Sequence, residues 1–372
     1  MSIYADLGLR PIINADATLT RLGGSIMHPD VVAAMAEAAQ HFVDLDQLQR
    51  RVGERLARLT HNEAAFVTSG AAAGLALATA ACVTGTDPAA IARLPDVTGL
   101  KDEVIVHRSQ RNGYDHSVRM VGVKLVEIGD DHGTALSALE AAISARTAAV
   151  VWFQGAMTGP GDIPLPDVIA TANTHGIPVI IDGAAQLPPT ENLWKWTQMG
   201  AALAVFSGGK DLRGPQPTGL ILGRADLMEA VRLHSNPNHG LGRPMKVGKE
   251  EMVGLLKAVE LYLEIDQDAR AARDEATVRA WCDALNRVDG VCAVRAFPNE
   301  AGQPLPRARV DIDPAQVGLT RDQIIRRLRE GEPAIAVAPA GSTGLFLNPM
   351  TLAAGEEVVV LQRLIEIMGR MP

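Results

Sequence analysis

The chain has 372 residues, of which 47% are hydrophobic and 21% charged, and its formal net charge is −8. Such a length predicts two or three domains, or one large domain with an appendage, around a sizeable core. The acidic balance and an aromatic content of 3% exclude a basic field and stacking platforms, so no nucleic-acid partner is expected.

Cys82, Cys282 and Cys292 are widely spaced and lack any CxxC pairing, which predicts reduced thiols rather than a disulfide frame or a metal site. The opening MSIYADLGLRPIINADA lacks the basic and apolar regions of a signal peptide, and no apolar run nears the roughly 20 residues of a membrane span. A cytoplasmic location without a membrane partner is the expectation.

In chain order, an irregular arm carrying Asn14, Arg21 and Gly23-Gly24 leads to a helix opened by Pro29, PDVVAAMAEAAQHF. LDQLQRRVGERLARLT is a second helix, with Leu45, Leu48, Val52, Leu56 and Leu59 on one stripe. AAFVTSG then reads as a strand that hands over to the alanine-rich helix AAAGLALATAACV. The apolar runs DEVIVH, KLVEIG, AAVVWFQG, IPVIIDGAA, LAVFSGG and GLILG follow, separated by helical patterns such as LSALEAAIS and LPDVIATANTHG. Doubly buried runs alternating with helices predict an α/β fold with a mostly parallel sheet. From about Gly248 the pattern changes to one long amphipathic stretch, then RARVDIDP, the helix TRDQIIRRLREG, the strand AIAVAP and a last helix. The expected division is therefore an arm and helix over 1–44, a large domain over 45–247, and a linking helix with a small α+β domain over 248–372.

Three strand ends carry chemistry. LAVFSGGK places Ser207 and Lys210 after a buried strand, beside glycines that permit close approach. IPVIIDG places Asp182 after another, where a charge needs a partner. FVTSGAAAG places Ser69, Gly70 and Ala71 where a strand meets a helix N-terminus, a natural phosphate site. A lysine amine, a carboxylate for a pyridine nitrogen and a phosphate cradle are the fittings of pyridoxal 5'-phosphate. A P-loop is excluded because Asp211 follows Lys210 and Ala204 stands where its first glycine belongs, and no GxGxxG follows a strand.

VTSGAAAGLALA, VIIDGAAQ, FSGGKDLRGPQPTGLILGR and GRPMKVGKEEMVGLLKAVE together resemble the selenocysteine-synthase-like branch of the fold-type-I pyridoxal phosphate enzymes. That group includes seryl-tRNA selenium transferase and D-glucosaminate-6-phosphate ammonia-lyase, and the likeness runs from INADATLTRLGG to LFLNPMTLAAGEE. It implies a large domain with a seven-stranded, mostly parallel sheet, a smaller C-terminal α+β domain, and a homodimer or higher homo-oligomer with shared active sites. It also implies Lys210 as the Schiff-base lysine, Asp182 as the pyridinium partner, and Ser207 with Ser69, Gly70 and Ala71 as the phosphate cup. Gln154 would lie near the ring oxygen or the substrate.

The acidic chain begins almost directly at the catalytic domain, unlike the tRNA-handling members, which points to a small-molecule amino-acid substrate. Many fold-type-I enzymes hold the substrate carboxylate with a C-terminal-domain arginine, yet Asn348 stands where that charge is expected. Candidate substrate residues are Arg21, Arg213 and Arg243, with Arg111, Tyr114 and His116 as residues that could pack over the cofactor ring. The expected reaction is an α,β-eliminating ammonia-lyase acting on a hydroxylated, sugar-type amino acid such as D-glucosaminate 6-phosphate. Racemisation, aldol cleavage and selenium or sulfur transfer use the same early steps and remain alternatives. A non-catalytic pyridoxal-phosphate-binding partner leaves the joint presence of Lys210, Asp182 and Ser207 unexplained.

Overall fold

A computed structural model describes residues 3–130 and 132–369. It divides into a larger unit, Ile26–Glu264, and a smaller one that joins residues up to Ser25 with residues from Ile265 onward.

The larger unit is built on seven strands: β1 (Ala64–Thr68), β2 (Glu103–His107), β3 (Lys124–Ile128), β4 (Thr147–Phe153), β5 (Val179–Asp182), β6 (Leu203–Ser207) and β7 (Gly219–Gly223). Their order is β1-β7-β6-β5-β4-β2-β3. Only β7 runs antiparallel to its neighbours, so β1 to β6 all point their carboxyl ends to one edge. Alternation along each strand separates two cores. Ile105, Val150, Trp152 and Ile181 enter one, and Val104, Val106, Val151, Phe153 and Ile180 enter the other.

The helices of this unit include α1 (Pro29–Ala39), α2 (Leu45–Leu59) and α3 (Ala71–Thr84), of which α3 starts at the site edge. Helix α3 is buried along nearly its whole length, which explains its alanines: nothing larger lets a helix lie this close to the sheet. Burial also pushes the Cys82 thiol on α3 up to about 12, consistent with an inert core cysteine.

The long amphipathic stretch forms two helices, α4 (Lys249–Leu263) and α5 (Gln267–Leu285), instead of one. The Asp266 side chain accepts the Ala269 N–H at 2.9 Å and so starts α5 anew. In the smaller unit, β8 (Val291–Ala296), β9 (Arg307–Ile312), β10 (Ala338–Ala340) and β11 (Gly344–Leu347) form an antiparallel sheet in the order β10-β11-β9-β8. The strand Ile12–Asn14 pairs in parallel with Ala334–Ala336, which ties the N-terminal arm to the C-terminal part of the chain. Among the described residues, no helix is long and apolar enough to cross a membrane.

Candidate active site

Open α/β sheets bind ligands outside the carboxyl ends of their strands. At that edge β1 delivers Thr68 into the turn that starts α3. Gly70 has φ 88°, a conformation that favours glycine, and Thr68 Oγ1 donates to its carbonyl at 2.9 Å. The first helical bond of α3 runs from Gly74 N–H to Gly70 O at 3.1 Å. The N–H groups of Ala71, Ala72 and Ala73 therefore find no carbonyl of their own helix and, with the helix dipole, favour an anion. A Cβ on Gly219, the first residue of β7, would lie 2.4 Å from the Gly70 carbonyl carbon.

Strand β6 ends at Ser207, opposite Gly219. Lys210 follows in a turn closed by its own backbone. Gly208 N–H donates to Thr218 O at 2.8 Å, Gly214 N–H to Gly208 O at 2.8 Å, and Arg213 N–H to Lys210 O at 3.0 Å. The two glycines before the lysine are required by packing, since a Cβ would lie 2.0 Å from Thr218 Oγ1 at Gly208 and 2.5 Å from Gln216 Cα at Gly209. Gly209→Ala should therefore lower stability by about 1–3 kcal/mol, because backbone has to move. A thermal melt checks this, and an unchanged midpoint would mean that the turn can spread at no cost.

Asp182 ends β5, and its Oδ1 accepts the Ala184 N–H at 2.9 Å. Burial raises its carboxyl above the ordinary range, against the Ala184 N–H and the positive charge of Lys210. A carboxylate so placed gains from a further N–H donor. Gly183 is required beside it, because a Cβ there would lie 2.4 Å from the Trp196 ring, which itself stacks on Phe206 with centroids 5.6 Å apart.

Gln154, one residue past β4, donates its backbone N–H to Asp182 O at 3.1 Å. Its side-chain oxygen accepts from Trp152 Nε1 at 2.8 Å. An indole nitrogen only donates, so this bond fixes the amide and leaves the Gln154 NH2 free to face away from Trp152. Sequence gives no signal for this task of Trp152, because an aromatic residue in a buried strand reads as core.

The remaining candidates are exposed, and several have partners of their own. Arg213 is exposed with φ 54°, and its Nε donates to Ile26 O at 3.1 Å. Arg243 Nη1 donates to Asn236 Oδ1 at 2.5 Å. Arg111 pairs with Asp115 at 2.6 Å and with Glu127, while Tyr114 and His116 are exposed. Arg21 belongs to the smaller unit and pairs with Asp16 at 2.7 Å. Lys210, Asp182, Ser207, Gln154 and the segment Ser69 to Ala71 lie at or just past the strand ends along one edge of the large sheet, and Arg111, Tyr114 and His116 follow β2 at the same edge.

The family described as SelA, L-seryl-tRNA selenium transferase, matches residues 12–279. The chain belongs to this family. Two curated relatives of this SelA-family chain stand at equal identity. A D-glucosaminate-6-phosphate ammonia lyase of Salmonella typhimurium is 34% identical over 98% of each chain. A 5'-C-glycyluridine monooxygenase-decarboxylase of a Streptomyces species is 34% identical over 98% of this chain and 92% of its own. The solved structure of D-glucosaminate-6-phosphate ammonia-lyase matches with a TM-score of 0.87 at 33% identity, covering 99% of this chain and 98% of that one. A ureidoglycine-glyoxylate aminotransferase of Bacillus subtilis matches with a TM-score of 0.62 at 16% identity over 96% and 92% of the two chains, a likeness of fold alone. The architecture is that of the fold-type-I pyridoxal phosphate enzymes, and this SelA-family chain is an enzyme whose cofactor is pyridoxal 5'-phosphate.

Proposed function

We propose that this SelA-family enzyme is an ammonia-lyase that eliminates across Cα and Cβ of a hydroxylated amino acid of the D-glucosaminate 6-phosphate type. The observation that carries this is the match to such a lyase over 98% of each chain, at 34% identity. We further place the enzyme in the cytoplasm as a homodimer, or an assembly of dimers, that takes a small-molecule substrate and no nucleic acid.

The residues at the sheet edge fit the cofactor. In this reading the N–H groups of the Ser69–Gly70–Ala71 turn and the Ser207 hydroxyl hold its phosphate. The raised carboxyl of Asp182 finds the donor it lacks in the pyridine nitrogen. The amide NH2 of Gln154, turned outward by Trp152, offers a hydrogen bond to the ring oxygen. Lys210 would hold the cofactor through its amine. When bound, the cofactor supplies a protonated ring that accepts the electron pair left at Cα.

The Lys210 amine would take the proton from the substrate Cα, and the Asp182 carboxylate would hold the proton on the ring nitrogen. The Cβ hydroxyl leaves as water with one proton. The released enamine adds water at C2 to give ammonia and a 3-deoxy-2-oxo acid, so that atoms balance with no oxidant.

The test is an assay of D-glucosaminate 6-phosphate for equimolar ammonia and 2-oxo acid. Equimolar release without oxygen uptake is the expected result. The decarboxylating relative supplies a second reading, oxidative chemistry at Cα of a glycyl group. Oxygen uptake with release of carbon dioxide from such a substrate, and no ammonia from D-glucosaminate 6-phosphate, would establish that reading instead.

A further inference from the structure

Gln110 lies in the turn Arg108–Gln110 that follows β2, yet it is fully buried. A carboxamide at such depth needs partners at both ends, because nothing else replaces the hydration it has lost. Gln110 has them. Its Oε1 accepts the Phe153 N–H at 2.9 Å, and its Nε2 donates to Asp162 Oδ2 at 2.9 Å.

The first of these bonds takes the place of a rung of the sheet. The pairing of β2 with β4 runs as far as Ile105 and Val150. Phe153 lies three residues further along β4, and its N–H meets the Gln110 side chain instead of a strand carbonyl. The next residue is Gln154, whose N–H donates to Asp182 O of β5 at 3.1 Å. Since β4 lies between β5 and β2, Asp182 and Gln110 hold its end from the two sides.

Asp162 holds Gln110 in turn. Its Oδ1 accepts from Ser109 Oγ, and its Oδ2 accepts the Gly159 N–H at 2.8 Å beside the bond from Gln110. Three donors converge on one side chain, and only a carboxylate has acceptors at both ends to take them. A Cβ on Gly159 would lie 2.8 Å from Ser109 Cβ, so the loop after β4 is drawn tightly against the turn after β2. From β2 itself, the buried His107 ring meets Trp152 edge-on with centroids 5.1 Å apart. The indole that orients the Gln154 amide is thus backed by the same strand.

We propose that Gln110, held by Asp162, is a positioning residue that fixes where Gln154 presents its NH2 to the cofactor's ring oxygen. The hydrogen bonds stand whatever the reaction is; what they position rests on the role given above to Gln154. A group that touches a ligand must be held to within about 0.5 Å by the side chains behind it, and Gln110 is the one that reaches the backbone next to Gln154.

The holoenzyme is titrated to find the pH midpoint of the cofactor's absorbance band above 400 nm. A hydrogen bond donated to the ring oxygen stabilises the negative charge left there when the band's proton is lost, and so holds that midpoint down. Gln154→Leu loses the bond outright and should raise the midpoint by about half a unit to one unit, the scale of one hydrogen bond. Gln110→Met, of similar volume but without either polar end, should raise it by a smaller amount. In the Gln154→Leu background it should add nothing, because the bond it positions is already gone. Asp162→Asn keeps the shape of the side chain and guards against a Gln110→Met protein that merely fails to fold; it should raise the midpoint too. Thermal melts run alongside, since a purely structural clamp would lower the melting midpoint and leave the absorbance midpoint in place.

A midpoint that moves with Gln154→Leu but with neither Gln110→Met nor Asp162→Asn would overturn the proposal and leave Gln154 its role. Additive shifts in the double variant would overturn it as well, because Gln110 would then act by a separate route. A midpoint that Gln154→Leu does not move would end the role of Gln154, and the positioning with it.

Discussion

Lys210→Ala should remove the absorbance band above 400 nm that borohydride reduces, and turnover should fall by about a thousandfold or more. Two losses combine in that figure, the covalent attachment of the cofactor and the base that takes the Cα proton. The fold should tolerate the change. The turn around Lys210 is held by main-chain bonds from Gly208 to Thr218 and from Gly214 to Gly208, which do not involve its side chain. Spectra before and after borohydride, with a thermal melt as control, give the answer. A variant that stays yellow and reducible would place the attachment on another lysine.

Asp182→Asn should act in opposite directions on stability and on catalysis. Burial raises the Asp182 carboxyl, so the folded protein holds its proton more tightly than the unfolded chain does. The sign follows from linkage: below the unfolded value both states are protonated and the group is neutral for stability, and a penalty grows as pH rises past that value. Without cofactor, the asparagine variant should therefore melt higher than wild type near neutral pH, by a margin that shrinks as pH falls toward 4, near the ordinary carboxylate value. With cofactor the order should reverse, because asparagine cannot hold the ring nitrogen protonated, and turnover should drop by at least about a hundredfold. Melts of both proteins across that pH range, with and without pyridoxal phosphate, check the first half and steady-state rates the second. Unchanged turnover in the asparagine variant would remove the pyridinium role.

Much of the fold is legible in the sequence because its signals are local. Seven short apolar runs, most of them separated by helical patterns such as LSALEAAIS and LPDVIATANTHG, are enough to indicate a mostly parallel sheet. Asp182 and Lys210 stand out for the same reason, as charges placed where a buried strand has just ended. The break between α4 and α5 was also open to reading, since Asp266 is a competent N-cap. The continuous amphipathic pattern across it masks the cap.

What the sequence determined by itself is the kind of residue at each strand end, and thereby the cofactor and the family. Tertiary structure alone decided how those residues are held. Gly208 and Gly209 are needed because residues 216 and 218 return across them. Gln154 presents a donor because Trp152 occupies its oxygen. Arg213 reaches back to Ile26, and the arm strand Ile12–Asn14 finds its partner at Ala334–Ala336. The last two join residues far apart in the chain, and no local propensity encodes a pairing that exists only after the backbone has closed on itself.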